Sequence, residues 1–76
     1  MTLYEINQHI PEKIREQFNI QLSGDRTLWI GEVSILDIAK ISAIYYSGIA
    51  QECLIKTESG ACITLYFPEN LIRVIV

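Results

Sequence analysis

Three side chains in this sequence, His9, Cys53 and Cys62, are of the types that act as nucleophile, general base or soft metal ligand. A cysteine thiolate beside an imidazole is a common nucleophile pair, and its two members meet only in the folded chain. A structural zinc site needs four ligands, and one histidine with two separated cysteines falls short of that number. We therefore expect no metal site. A thiol-based redox switch or small enzyme that uses Cys53 or Cys62 is an alternative function.

Motifs for other classes of reaction are missing from the sequence. The glycines are far apart and each marks a separate turn or bend, so no glycine-rich loop is present to hold a phosphate. The carboxylates form no motif of paired acids. The expectation is a protein that is not an enzyme and binds no cofactor.

Length and composition indicate one small globular domain that spans residues 1–76. Half of the residues are apolar and a fifth are charged, a balance typical of folded proteins. The first ten residues lack the pattern of a signal peptide, and no apolar stretch reaches the roughly 20 residues of a membrane span. We expect a cytoplasmic protein without membrane contact. In a reducing compartment Cys53 and Cys62 would be free core thiols, although a disulfide across adjacent strands is geometrically conceivable.

The charge pattern weighs against nucleic acid as the default ligand. The formal net charge is −3, and the six basic residues are spread along the chain without a run. Neutralising a phosphate backbone needs clustered lysine and arginine side chains. We therefore expect a protein partner in preference to nucleic acid, either a second copy of the chain or a different protein.

The N-terminal part of the chain predicts one helix followed by a hairpin. Ile10, Ile14 and Phe18 recur at helical spacing, and Pro11 suits a first helical position. A Gly-Asp turn between β-branched segments is typical of a hairpin, and Gly31 within its second strand predicts a bend or bulge. The predicted elements are a helix over 10–18 and strands over 19–22 and 27–33.

Residues 34–52 fit two interpretations. As a helix, Ser34 and Asp37 would form a capping pair ahead of a polar stripe. As a strand, the isoleucine and tyrosine content of 41–46 favours β structure, which is the preferred interpretation. The predicted fold is therefore mainly β, with a short N-terminal helix and a small curled antiparallel sheet or barrel. The alternative is an α+β fold with a helix at 34–51 packed on an antiparallel sheet.

The C-terminal part predicts a hairpin and a final strand. Apolar, β-branched segments over 53–57 and 61–67 flank a turn that contains glycine, and Pro68 ends the second segment. The last segment, 71–76, is apolar on both faces except for Arg73, so it should be buried or paired. Such a strand is a natural edge for pairing between chains, as in a homo-oligomer.

Aromatic side chains provide the candidate binding surface. Tyr45 and Tyr46 are adjacent, so in a strand they face opposite sides and at least one of them faces outward. Tyr66 and Ile72, near the end of the chain, are further candidates for an outward position. The partner-binding residues predicted from the sequence are Tyr45, Tyr46, Tyr66 and Ile72.

A short segment resembles a motif of small β-barrels. The sequence GEVSILD over 31–37 resembles the Gly-x-hydrophobic-x-x-hydrophobic-Asp segment in the bent second strand of Sm-like proteins. The order of elements also looks like that of an Sm-like or SH3-like barrel. The asparagine that follows the aspartate in Sm proteins is absent around Lys40, and Phe67-Pro68 stands where the family has Arg-Gly. The resemblance therefore implies a small barrel without the family's RNA contacts.

The function expected from these features is a non-catalytic protein-interaction module. It would act as a homo-oligomer, or as a small subunit or inhibitor that docks on a larger protein. A chain this short and this apolar cannot bury all of its apolar side chains internally. The alternative implied by the barrel resemblance is an Sm-like RNA-binding protein, whose charge and stacking would come from Lys40, Tyr45, Lys56 and Arg73.

Overall fold

The computed structural model describes residues 1–23, 26–35 and 37–75, and it is mainly β. Two short helices lead into two antiparallel sheets, one of three strands and one of four. The predicted mainly β fold with a short N-terminal helix is confirmed. Parts of three predictions lie outside the described residues, namely the tip of the first turn (Gly24 and Asp25), Leu36 of the Sm-like segment, and Val76 of the last strand.

Two helices, α1 (Leu3–His9) and α2 (Glu12–Gln17), begin the chain. Thr2 and Glu5 start α1 with a capping box, in which the Thr2 hydroxyl accepts from the Glu5 N–H and the Glu5 carboxylate accepts from the Thr2 N–H. Pro11 separates the helices because it adopts an extended ψ of 145° and has no N–H to continue the first one. The predicted N-terminal helix is therefore confirmed as α2, whereas α1 was not predicted.

The three-stranded sheet consists of β1 (Ile20–Ser23), β2 (Thr27–Ile30) and β3 (Val33–Ile35), paired in that order. The predicted hairpin between the first two strands is confirmed. The predicted second strand is too long, because Gly31 has a φ of +60° and the chain turns back there to pair β3 with β2. Gly31 therefore lies in a hairpin turn and not in a bulge within a strand.

The four-stranded sheet follows the chain in the order β4 (Ile41–Ser47), β5 (Glu52–Thr57), β6 (Cys62–Tyr66) and β7 (Leu71–Ile75). Every neighbouring pair is antiparallel. Because the strands follow one another in sequence order, each strand pairs with strands that are adjacent in sequence. The predicted C-terminal hairpin is confirmed as β5 and β6, and the predicted final strand as β7.

Residues 37–47 decide between the two interpretations of the middle of the chain. Asp37 does cap a helix, since its carboxylate accepts from the Ala39 N–H at 2.8 Å, but this is a three-residue 3₁₀ helix, Ile38–Lys40. The chain then enters β4. The alternative fold with a helix at 34–51 is wrong, because the β-branched and aromatic residues of β4 favour a strand.

The two sheets stay separate within the described part of the chain, since the first three strands pair only among themselves and so do the last four. The closed barrel that was one form of the predicted sheet is therefore not formed. The segment that resembles the Sm motif is divided between the Gly31 turn, β3 and the Asp37 cap.

One apolar core connects the helices to both sheets. The predicted helical face of Ile10, Ile14 and Phe18 is buried in it. The central strands β5 and β6 supply its largest share from the four-stranded sheet. The side chains with almost no exposed area are Ile6, Ile10, Leu28, Ile30, Cys53, Ile55 and Leu65.

Candidate interaction surface

The register of the four-stranded sheet assigns its side chains to two faces. Ile44, Ile55 and Ile63 face one another across β4, β5 and β6 and belong to the core; we call the face they share the inner face. Neighbouring residues along each strand point to the opposite side, the outer face. The outer face has three cross-strand rows: Tyr45, Leu54, Thr64 and Arg73; Ser47, Glu52, Tyr66 and Leu71; and Ala43, Lys56, Cys62 and Ile75.

Strand β7 is the edge of this sheet at which aliphatic side chains stay exposed. Val74, on the inner face, is 49% exposed, and Leu71 and Ile75, on the outer face, are 44% and 54% exposed. Ile72 is half-buried and packs against the core. Within the described residues β7 pairs with β6 alone, so its other edge carries no strand.

The hydrogen-bond pattern of the sheet shows which backbone groups point to that free edge. The Phe67 N–H donates to the Gln51 carbonyl at 3.0 Å, so the odd-numbered residues of β6 bond towards β5. Successive residues of an antiparallel strand direct their backbone groups to opposite sides, and the even-numbered residues of β6 therefore bond towards β7. It follows from the β6–β7 register that Arg73 bonds towards β6. Ile72 and Val74 direct their N–H and C=O groups to the free edge.

Two contacts between a cation and an aromatic ring lie on the outer face. Lys56 Nζ is 6.0 Å from the centroid of the Tyr45 ring, and the Arg73 guanidinium is 5.7 Å from the centroid of the Tyr66 ring. Glu52, which faces Tyr66 on the neighbouring strand, adds a carboxylate to the same face. The outer face thus carries mixed charge, and both of its cations lie over rings of their own sheet.

The four residues predicted to bind a partner are divided between the two faces. Tyr45 and Tyr66 lie on the outer face, whereas Tyr46 and Ile72 lie in one inner row across the sheet. Tyr45 and Tyr46 face opposite sides, as predicted for adjacent strand residues, and both are exposed. The four residues therefore do not form one contiguous patch.

Tyr46 borders a shallow groove beside α2. Its ring stacks on Phe67 with centroids 5.7 Å apart, and Phe67 also contacts Phe18. Gln17 Nε2 donates to the Phe67 carbonyl at 2.6 Å, which connects α2 to the segment after β6. The groove has a volume of about 340 Å³, and Lys13 is the one charged side chain among the described residues that line it.

The residues predicted for RNA binding are brought together only in part. Tyr45, Lys56 and Arg73 share the outer face. Lys40 lies at the end of the sheet, where its carbonyl accepts from the Glu58 N–H. The four residues therefore supply two cations to the outer face and a third at its end.

The two thiols lie on opposite faces of adjacent strands. Cys53 is completely buried on the inner face, and Cys62 is half-buried on the outer face. A disulfide would require both side chains to lie between the strands on one face, so the conceivable cross-strand disulfide is not formed. Burial raises the pKa of the Cys53 thiol from 9.0 to about 11, which keeps it protonated and weakly nucleophilic at neutral pH. His9 is exposed at the end of α1.

Sequence reasoning missed several exposed apolar side chains. Tyr4 on α1 is largely exposed, and Ile49 in the turn between β4 and β5 is fully exposed. The signal for Ile49 was available, since it stands between Gly48 and Ala50 in a turn. Val74 gave no such signal, because its exposure depends on the absence of a strand beyond β7.

Comparison with family models, with curated proteins and with solved structures finds no match for the chain. Among the described residues, no group of three or more histidine, cysteine, aspartate or glutamate side chains could hold a metal ion. No helix in the same part of the chain is long and apolar enough to cross a membrane. The functional interpretation therefore depends on the geometry of β7 and of the outer face.

Proposed function

We propose that the chain is a non-catalytic protein-interaction module that binds through the free edge of β7. It acts as a homo-oligomer, or as a small subunit or inhibitor that docks on a larger protein. The observation that supports this function is the coincidence, on one edge strand, of unpaired backbone groups and exposed apolar side chains on both faces. An added strand would accept and donate hydrogen bonds at the backbone groups of this edge and would cover its exposed apolar side chains.

The energetics favour a strand as the ligand of this edge. Leu71, Val74 and Ile75 each keep about half of their area exposed, so covering the remainder contributes on the order of 1 kcal/mol for each side chain. Backbone hydrogen bonds to the outward groups of Ile72 and Val74 add alignment. Neither contribution depends on a reactive group, which suits a module without catalytic function.

The proposal is tested by placing a charge on the edge strand. Val74→Lys introduces an ammonium group beside the free edge, a device that blocks strand addition. Ile49→Lys makes a similar change of charge and polarity at a fully exposed position away from β7, so it is the matched control. Light scattering over a range of protein concentrations, with circular dichroism to check folding, measures the effect of each variant on self-association.

We expect Val74→Lys to weaken association at least tenfold while Ile49→Lys leaves it unchanged. Equal association of both variants and the wild type would show that β7 is not the binding edge. If the wild type is monomeric at every concentration, the homo-oligomeric form of the proposal is excluded. The heterologous form then requires partners that both wild type and Ile49→Lys retain in pull-down and that Val74→Lys loses.

A second candidate function, binding of single-stranded RNA in the manner of an Sm-like protein, is favoured by the outer face. Tyr45, Lys56, Tyr66 and Arg73 supply rings and cations to one surface, and such surfaces stack bases and neutralise phosphates. Anisotropy of a labelled oligonucleotide at low and high salt tests this function. Binding at low salt that weakens with salt and is lost in Lys56→Glu would support it, and no binding at low salt would eliminate it.

A further inference from the structure

We infer, building on the use of the β7 edge proposed above, that β7 pairs with β7 of a second copy of this chain. The two strands would run antiparallel about a twofold axis that lies midway between Arg73 of one copy and Arg73 of the other. The two four-stranded sheets would then join into one continuous sheet of eight strands, with the outer face of each copy on the same side. The proposed partner is therefore a second copy of the chain, and in the proposed register Arg73 of one copy faces Arg73 of the other.

The choice of β7 as both halves of the interface follows from the two edges of the sheet. The other edge strand is β4, and α1 packs against it. Its inner residue Ile44 is buried in the core, in contrast to the half-exposed Val74. Both edge strands carry exposed side chains, but those of β4 are the aromatic Tyr45 and Tyr46, whereas β7 exposes the aliphatic Leu71, Val74 and Ile75. Because α1 packs against β4, pairing of one β7 with another is favoured over a head-to-tail chain of sheets. A twofold pairing also closes, which gives a dimer and not a filament.

The geometry of the strand limits the register to three possibilities. A twofold axis perpendicular to the sheet keeps outer face beside outer face, and it passes midway between the two copies of one central residue. Within β7 the central residue can be Ile72, Arg73 or Val74. A centre at Ile72 or Val74 overlaps only three residues of the described strand, whereas a centre at Arg73 overlaps all five.

The register centred on Arg73 uses the outward backbone groups most fully. Ile72 of each copy faces Val74 of the other, and these are the two residues whose N–H and C=O groups point to the free edge. Counted over the described strand, 71–75, two hydrogen-bonded pairs form in this register, against one in each alternative. On the outer face, Leu71 of each copy faces Ile75 of the other. Every facing pair other than the central one is therefore apolar.

The central pair brings Arg73 opposite Arg73 of the second copy, and facing like charges normally destabilise a sheet. The contact with Tyr66 relieves this conflict. Because Tyr66 lies on β6, on the side of β7 away from the free edge, a guanidinium 5.7 Å from its ring centroid is drawn back over its own sheet. Tyr66 is in this way a positioning residue that separates the two charges. An interface limited to one strand and its flanks is small, so we expect a dimer that dissociates on dilution.

Cysteine cross-linking tests the proposed register of the β7–β7 pairing. Ile72→Cys, Arg73→Cys and Val74→Cys are each combined with Cys62→Ser. Cys53 stays in place because it is completely buried. Diamide oxidises facing thiols to a disulfide and takes up their protons and electrons, and non-reducing gels measure the rate of dimer formation. Ile49→Cys in the same background gives the rate of random collision.

We expect Arg73→Cys to cross-link at least tenfold faster than Ile72→Cys, Val74→Cys and the collision control. The reason is that only its Cα faces itself at the roughly 4.5 Å of a non-hydrogen-bonded pair, within reach of a disulfide. Fastest cross-linking of Ile72→Cys or Val74→Cys would overturn the register. Rates that all equal that of Ile49→Cys would overturn pairing with a second copy, while the loss of heterologous partners in Val74→Lys would still support binding through β7.

A mixing experiment tests the same register without new cysteines. Arg73→Glu places two carboxylates at the centre of its own dimer, but it faces a guanidinium when paired with wild type. We expect an equimolar mixture of Arg73→Glu and wild type to associate at least threefold more tightly than either protein alone, because only the mixed dimer pairs opposite charges. A mixture that associates no more tightly than the wild type alone would contradict a centre at Arg73.

Discussion

Strands β6 and β7 are neighbours of equal length, and their sequences, CITLY and LIRVI, are similarly apolar. Their environments differ. The three central residues of β6 are buried, whereas four of the five residues of β7 are exposed. The difference arises because, in the described part of the chain, β6 has a strand on each side whereas β7 has one neighbouring strand. Strand β6 also supplies Ile63 and Leu65 to the core, while Ile72 of β7 packs against it from the side.

The contrast shows that burial in this sheet is determined by the position of a strand, and not by its composition. An edge strand that only completes the fold can carry charged residues, which many proteins use to prevent strand addition. Here the edge has one charge, Arg73, and it lies over Tyr66 on the neighbouring strand. The apolar content of β7 is the feature on which the pairing proposed above depends.

Truncating one apolar side chain in each strand should change the free energy of unfolding by very different amounts. Leu65→Ala in β6 removes a fully buried side chain and should reduce the free energy of unfolding by about 2–5 kcal/mol. Val74→Ala in β7 removes a half-exposed one and should cost less than about 1 kcal/mol in the monomer. Urea denaturation at low protein concentration measures both, and similar losses would show that β7 is not a marginal edge.

The inner face beneath the central strands also holds a buried thiol, in the row that crosses β5 and β6. Cys53 faces Leu65 on the inner face, and burial raises its pKa from 9.0 to about 11. The folded state therefore holds the thiol proton more tightly than the unfolded state. The stabilisation is complete below pH 9 and is lost as the pH rises to about 11, by up to about 3 kcal/mol.

Urea denaturation between pH 8 and pH 11 tests this dependence on Cys53. Cys53→Ala should remove the part of the pH slope that comes from this thiol, while Cys62→Ser, on the half-buried outer position, serves as the control and should keep it. An unchanged slope in Cys53→Ala would show that burial on the inner face of β5 does not raise the pKa of this thiol.

The contact between the Arg73 guanidinium and the Tyr66 ring, which connects β7 to β6, should contribute only a little to stability. Arg73→Met keeps most of the side-chain length and removes the charge over the Tyr66 ring, and it should lower monomer stability by about 0.5–1 kcal/mol. A double-mutant cycle with Tyr66→Leu isolates this coupling. A coupling energy of zero would remove the reason for the guanidinium to stay away from the free edge.

Much of the fold could be predicted from local patterns. The face of Ile10, Ile14 and Phe18 and the C-terminal hairpin were predicted because helical spacing and turn residues are encoded locally. Helix α1 was also predictable, since Thr2 and Glu5 have the spacing of a capping box. The division of the strand at Gly31 was not predictable. A glycine within a β segment is found both in hairpin turns and in bulges, and the sequence alone does not distinguish the two.

The candidate site was predictable only in part. The segment that forms β7 was recognised as an edge for pairing, since its apolar residues are continuous in sequence. The faces of its side chains depend on register, and exposure depends on the missing neighbour, so Val74 and Leu71 were overlooked while half-buried Ile72 was selected. Both properties arise from long-range pairing, which one sequence does not reveal.

Amide hydrogen exchange at two protein concentrations tests whether the free edge of β7 pairs with a second copy. Among the strands that the structure describes, none pairs with the N–H groups of Ile72 and Val74, whereas that of Arg73 bonds towards β6. We expect the Ile72 and Val74 amides to exchange quickly in dilute protein and to become protected as the concentration rises, with Arg73 protected throughout. Fast exchange of Ile72 and Val74 at all concentrations would contradict pairing of β7 with a second copy.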